Sequence, residues 1–282
     1  MDHNPLITIN GTPVKYKTWR FPSGELGLEL EMDPMFVANT ERNYWYAELV
    51  TSEDVFILSL IRWTLFTNSA SHNELELPYV PHGRQDRNTT PTAPFSLLTI
   101  CKAINDMLFD LVTVTTPHSN VTKLLLDNSF VQDVEEWVAD KLSFIKGNYM
   151  VSDVLFVAPD AGAEKRVYAI AKYCGVSNVM TCLKRRDPAT GNILGLQIPD
   201  DFSYFGKHVV VIDDICDGGA TFIHLAEALK KKGIVSDKND KTLSLLVTHG
   251  IFSNGARERL KAAGYDHVEA KFTFIEERLK NA

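Results

Sequence analysis

The chain has 282 residues, 45% of them hydrophobic and 23% charged, enough apolar material for one large α/β domain or two of ordinary size. Its 29 lysines and arginines face 36 aspartates and glutamates, a formal net charge of -7, and no cationic cluster is long enough to form a nucleic-acid stripe. No apolar run approaches the ~20 residues that span a bilayer, and Met1-Asp2-His3-Asn4-Pro5 does not read as a signal peptide. Cys101, Cys174, Cys182 and Cys216 form no C-x-x-C pair, which suits a reducing compartment rather than a disulfide framework. The expectation is a cytoplasmic protein with no nucleic-acid or membrane partner.

Leu6 to Ile9, the dipeptide Asn10-Gly11, and Val14 to Trp19 predict a hairpin. Phe21-Pro22-Ser23-Gly24-Glu25 is a turn before the alternating Leu26, Leu28 and Leu30. A strand over Tyr44 to Val50 precedes a helix from Ser52 to about Thr67, with Glu53 and Asp54 in its first turn. Leu75 to Val80 is a strand ending in Pro81-His82-Gly83-Arg84-Gln85-Asp86-Arg87, and Asn88 to Pro94 is a loop. Phe95 to Leu108 has a helical pattern, Leu111 to Thr115 is a strand running into Pro117-His118, and Asp133 to Ile145 is a helix. Lys146-Gly147-Asn148 is the linker candidate, dividing the chain into domains 1–147 and 148–282.

The second half repeats the alternation. Strands are predicted over Val154 to Ala158, Val179 to Leu183, His208 to Ile212, Thr242 to Thr248 and Val268 to Phe274. Helices are predicted over Ala163 to Tyr173, Phe222 to Lys232 and Ala256 to Ala263, stopped by Gly175, Gly233 and Gly264. Asp187 to Gly195 is a loop. Such alternation predicts a mostly parallel sheet covered by helices, with its ligand edge where the strands end.

The chemistry gathers at one strand end. His208-Val209-Val210-Val211-Ile212 has the composition of a strand buried on both faces, and Asp213-Asp214-Ile215-Cys216-Asp217-Gly218-Gly219-Ala220-Thr221 follows it directly. A tight βα turn with acids capping the helix is the simpler alternative, but Asp-Asp-x-x-Asp-Gly-Gly-x-Thr is far more specific than Gly-Gly alone. Backbone N–H groups at a helix start favour a phosphate, and carboxylates beside them can bind sugar hydroxyls or a metal ion. A ribose carrying a 5-phosphate uses both. No G-x-x-x-x-G-K-[ST] occurs, so a nucleoside triphosphate needs another device. Arg84 can grip a phosphate with its planar fork, and Gln85 can read an adenine edge or a ribose, although a solvated charged turn has the same composition. Asp160 reads either as a helix N-cap or as a Mg²⁺ ligand beside phosphates. Lys184-Arg185-Arg186 reads either as a solvated strand end or, beside a Gly/Pro loop, as a lid over a polyphosphate.

These segments together resemble the ribose-phosphate diphosphokinase family, in collinear order from about Phe21 to Ser253. The acidic glycine stretch resembles the phosphoribosyl-diphosphate motif that the family shares with type I phosphoribosyltransferases. The resemblance implies two similar phosphoribosyltransferase-like α/β domains, each a mostly parallel sheet flanked by helices. It implies ATP binding by Arg84, Gln85, Asp86 and Arg87, and by Phe21, Ser23 and Glu25 reaching a neighbouring subunit's site. Ser23 stands where the family usually has Asp. Asp213, Asp214, Asp217, Gly218, Gly219, Ala220 and Thr221 would hold the ribose phosphate, Lys184 and Arg186 would be catalytic, and Mg²⁺ would sit at His118 and Asp160. Val247-Thr248-His249-Gly250-Ile251-Phe252-Ser253 resembles the family's structural turn.

The implied reaction joins ATP and ribose 5-phosphate, with a homo-oligomer (dimer or hexamer) as partner. The family usually reads Asp-Thr-Gly-Gly-Thr where this chain has Asp217-Gly218-Gly219-Ala220-Thr221, and Thr116-Pro117 replaces Asp-Leu before His118. A looser phosphate pocket would suit ADP-ribose as the alternative acceptor. A non-catalytic regulatory relative is the other alternative.

Overall fold

The structure, a computed structural model, describes residues 4–33, 41–66, 72–146, 150–186, 193–199, 208–235 and 241–280. The chain divides between Asp133 and Val134 into two compact units.

The first unit is built on a six-stranded sheet of order β2-β1-β5-β6-β7-β8. Its strands are β1 (Ile7–Ile9), β2 (Thr12–Pro13), β5 (Arg42–Ala47), β6 (His72–Leu77), β7 (Leu111–Thr115) and β8 (Ser129–Gln132). β5 to β8 run parallel, and β1 is antiparallel to both neighbours. Asn10 and Gly11 have φ of 51° and 77°, as a two-residue hairpin turn demands. The second arm is Thr12–Pro13 rather than the predicted Val14 to Trp19. It stops at Pro13, which has no N–H for the ladder, and Val14 turns into the core. The chain re-enters as β3 (Tyr16–Arg20), paired with β4 (Leu26–Leu30) in a hairpin of their own.

Burial alternates along β5 and β6: Trp45, Ala47, Leu75 and Leu77 are buried, while Tyr44 and Glu76 are exposed. The buried set packs under α1 (Ser52–Phe66) and α2 (Ser96–Asn105) in a single apolar cluster. A reciprocal cap fixes the start of α1: Asp54 N–H donates to Thr51 Oγ1 at 3.2 Å, and Thr51 N–H donates to Asp54 Oδ2 at 2.8 Å. Two short elements escape prediction, β8 and α3 (Asn120–Leu125), the latter capped by Ser119.

The second unit carries a five-stranded, wholly parallel sheet of order β10-β9-β13-β14-β15. The strands are β9 (Val154–Ala158), β10 (Asn178–Thr181), β13 (His208–Cys216), β14 (Thr242–Gly250) and β15 (His267–Phe272). Both faces are covered. Val209, Val211, Leu243 and Leu245 join a cluster with α6 (Ala220–Lys231) and α7 (Ala256–Ala263). Val210, Ile212, Phe156 and Leu246 join another with α4 (Glu135–Lys146) and α5 (Ala161–Cys174). Val138 and Leu142 of α4 lie in that second cluster, so α4 belongs to the second unit and the division falls ahead of the linker expected at Lys146-Gly147-Asn148.

A separate hairpin joins β11 (Leu183–Arg186) to β12 (Ile193–Gln197), where a loop was expected to run on to Gly195. The last predicted strand stops at Phe272, and α8 (Phe274–Lys280) follows it. Among the described residues no helix is long and apolar enough to cross a membrane.

Candidate functional site

In the second unit, β13 stays apolar for as long as both its faces are covered and turns polar at its C-terminal end. Asp213 and Asp214 stand there with side-chain exposures of 16% and 7%. Asp214 N–H donates to Asp213 Oδ1 at 2.8 Å. Arg166, from α5, places Nη1 3.5 Å from Oδ1 of each aspartate. Burial, and then the neighbouring Asp214, push the Asp213 carboxyl well above the usual carboxylate range, while Arg166 pulls it back.

The turn then swings through Asp217 and Gly218 to Gly219, whose φ of 76° favours glycine, and α6 begins at Ala220. Gly219 also faces its neighbours closely: a Cβ there would lie 3.5 Å from Ala256 Cβ and from Leu260 Cγ. The turn is tied from the segment after β14. Ser253 Oγ donates to Asp217 Oδ1 at 2.6 Å, and Arg259 Nη1 donates to the Gly218 carbonyl at 3.2 Å. Ile251 and Phe252 N–H groups both donate to the Cys216 carbonyl.

Holding Phe252 there requires φ of 47°, an uncommon region for a bulky residue. The Arg257 guanidinium lies 3.9 Å from its ring centroid, and Arg257 Nε is anchored on the buried Glu276 at 2.8 and 3.0 Å. Gly250 completes the turn. A Cβ there would come 2.1 Å from Phe252 Cε2 and 2.8 Å from Ala270 Cβ. His249 stacks on Phe272 and directs Nδ1 at the Asp214 carbonyl, 3.1 Å away. Burial pushes the Cys182 and Cys216 thiols up to about 12, so neither offers a thiolate near neutral pH.

At the end of β9, Asp160 caps α5: its Oδ1 accepts from the N–H groups of Gly162 at 2.9 Å and Ala163 at 3.3 Å. The capping expectation for Asp160 therefore holds, and metal binding would have to coexist with it. Lys184 and Arg186 lie on β11, with backbone partners Leu196 and Ile193 on β12. Residues 187–192 of the expected lid lie outside the described residues.

In the first unit, the turn after β6 carries Arg84, Gln85, Asp86 and Arg87; Asp86 is half-buried and the other three exposed. His82, with φ of 61°, organises it. Its Nε2 pairs with Ser52 Oγ at 2.8 Å and its Nδ1 with Gln85 Oε1 at 3.4 Å, and Leu97 N–H ties down the Gln85 carbonyl. His118 follows the adjacent parallel strand β7, so its Cβ lies 3.8 Å from where a Cβ on Gly83 would stand. The sheet thus brings His118 beside the Arg84–Arg87 turn.

Phe21, Ser23 and Glu25 form the tip of the β3–β4 hairpin. Ser23 Oγ donates to Glu25 Oε2 at 2.7 Å, and Phe21, 47% exposed, meets Trp19 edge to face. Among the described residues no group of three or more His, Cys, Asp or Glu forms a metal cage. Asp160 offers the carboxylate oxygen that suits Mg²⁺, an ion that takes one or two carboxylates and completes its shell with water and substrate phosphate oxygens.

Arg166 and Arg259 were not singled out from the sequence, and His82 and Ser253 stood there only inside longer segments, with no role of their own. Each acts on a residue far away in the chain; Arg166 carried a cue in its position six residues after Asp160 on a helix expected to cover the sheet.

The phosphoribosyl transferase domain matches residues 124–236, which include β13, the glycine turn and α6. The ribose-phosphate pyrophosphokinase of Agrobacterium fabrum is 27% identical over 235 residues, covering 77% of this chain and 71% of its own. That of Corynebacterium efficiens is 27% identical over 259 residues, covering 86% and 77%, and that of Maricaulis maris is 29% identical over 231 residues, covering 76% and 69%. The crystal structure of phosphoribosylpyrophosphate synthetase from Mycobacterium smegmatis shares the fold, with a TM-score of 0.71 at 17% identity over 95% of this chain and 91% of that one.

Proposed function

We propose that this chain, which belongs to the ribose-phosphate pyrophosphokinase family, transfers the β,γ-diphosphoryl group of ATP to the anomeric hydroxyl of ribose 5-phosphate. The anomeric oxygen attacks the β-phosphorus and gives up its proton. The bond from that phosphorus to the α,β-bridging oxygen breaks, and AMP leaves. The observation that carries this reading is the end of β13, where two largely buried carboxylates, a turn with φ of 76° at Gly219 and the start of α6 follow one another without a gap.

Each part has a task. Asp213 and Asp214 accept hydrogen bonds from ribose hydroxyls, since an ionised carboxylate is acceptor-only. Backbone N–H groups from Gly218 to Thr221, with the Thr221 hydroxyl, hold the 5-phosphate at the helix start. Asp217, held by Ser253, sets the mouth of that turn. Arg84 grips ATP phosphates with its planar fork, while Gln85, Asp86 and Arg87 bind the rest of the nucleotide. Phe21, Ser23 and Glu25 serve the ATP site of a neighbouring subunit in a homo-oligomer. Lys184 and Arg186 stabilise the charge that develops on the transferring group, the main catalytic device in phosphoryl transfer. His118 in the first unit and Asp160 in the second would each serve as a Mg²⁺ ligand, and the ion when bound would neutralise phosphate charge.

The test is AMP release from ATP and Mg²⁺ with ribose 5-phosphate or ADP-ribose as acceptor. AMP release dependent on ribose 5-phosphate is the expected result. Release with ADP-ribose alone, or with neither sugar, would overturn the reading. No observation favours the larger acceptor or a non-catalytic role.

A further inference from the structure

The two carboxylates at the end of β13 present a physical problem. They are adjacent in sequence and mostly shielded from water, and both Oδ1 atoms lie 3.5 Å from a single Arg166 nitrogen. Like charges this close resist joint ionisation, and burial adds to the resistance. Yet a pair that receives sugar hydroxyls has to present oxygens that accept, and protonation converts one of them into a donor.

We propose that Arg166 is a positioning residue: set by α5 across both carboxylates, it favours their ionised, acceptor form and aims Asp213 and Asp214 together at the sugar hydroxyls. The inference rests on the ribose-binding reading of the pair.

The groups around the pair have contacts of their own. From β14, His249 directs Nδ1 at the Asp214 carbonyl. Asp217 adds a further negative charge from the turn and accepts a hydrogen bond from the Ser253 hydroxyl. Cys216, on β13 itself, is held as a thiol. Asp160, at the end of β9, engages Gly162 and Ala163 N–H groups. Arg257 is committed to Glu276, and Arg259 to the Gly218 carbonyl. Arg166, 19% exposed, is a cation that touches both acids, and a planar guanidinium can do so without moving. Removing an opposite charge at this distance raises a carboxyl, so the ionised state is lost at a higher pH.

The experiment reads the carboxyls directly. Protein labelled with ¹³C at aspartate carboxyls is titrated as wild type, Arg166→Gln and Arg166→Lys, with Asp213→Asn and Asp214→Asn assigning the signals. The Asp213 midpoint should rise by about one unit or more in Arg166→Gln. In Arg166→Lys, which keeps the charge but not the fork, it should rise less. With ribose 5-phosphate the KM should rise, and the acid limb of kcat/KM should move to higher pH by the same amount, while the KM for ATP stays put. Midpoints equal to wild type in the variants that fold, as judged by circular dichroism, would overturn the proposal; Arg166→Lys keeps the test decisive if Arg166→Gln does not fold. A wild type that releases no AMP with ribose 5-phosphate would sink the functional reading, yet the carboxyl titration would still decide what Arg166 does.

Discussion

The two units solve the same architectural task differently. In the second, β13 runs between two apolar clusters, and residues 208–212 are buried one after another. In the first, β5 and β6 bury every second residue against one cluster and leave Tyr44 and Glu76 exposed on the other face. A strand covered on both faces has no place for a carboxylate until its cover ends, so its first acids mark the site. A strand covered on one face carries polar residues throughout, and its functional turn is not announced by composition. The turns differ in the same sense. The second unit holds its acids largely buried and tied by Arg166 and Ser253, whereas the first leaves Arg84, Gln85 and Arg87 exposed above a His82 brace. On the proposed reading, the ribose meets the preorganised turn of the second unit and the polyphosphate meets the exposed cations of the first.

The contrast can be broken from either side. The largest effect is expected from Lys184→Ala in the second unit: kcat should fall roughly 10²–10³-fold, as for loss of one fixed donor to a developing charge, with ATP binding retained. An unchanged kcat would remove β11 from the mechanism. Arg84→Ala in the first unit should raise the KM for ATP roughly 10–100-fold, the worth of about 1.5–3 kcal/mol for a charged hydrogen bond. Isothermal titration with a non-hydrolysable ATP analogue checks that the loss lies in binding and spares ribose 5-phosphate.

Glycine substitutions sharpen the difference in rigidity. Gly250→Ala drives a methyl to 2.1 Å from Phe252 Cε2 and should cost about 1–3 kcal/mol, read as a lower thermal midpoint. Gly83→Ala meets the Val80 carbonyl at 3.2 Å and should cost less, though it crowds the turn beside His118. Asp160→Asn is expected to change stability least. Asn remains a good N-cap, so the thermal midpoint should stay near wild type while the Mg²⁺ dependence of AMP release weakens. A lowered midpoint with unaltered Mg²⁺ dependence would leave Asp160 as a cap alone.

Much of this was legible in the residues. The apolar run Val209 to Ile212, the helix stops at Gly175, Gly233 and Gly264, and the Asn10-Gly11 turn follow from backbone and solvation rules that act locally. β8 and α3 were not legible, because four and six residues carry too little periodicity to separate from loop. The assignment of α4 was not legible either. Its apolar positions show that it packs, but not that Val138 and Leu142 pack on Phe156 rather than on the strands before them.

By itself the sequence determined the strand ends at which polar groups gather and the residue types that stand there, because solvation and backbone sterics act within a few residues. Only the tertiary structure decided which distant side chains support them. Arg166 on Asp213 and Ser253 on Asp217 are contacts between residues 47 and 36 positions apart, and His82, which braces the nearby Gln85, is itself held by Ser52, 30 positions away.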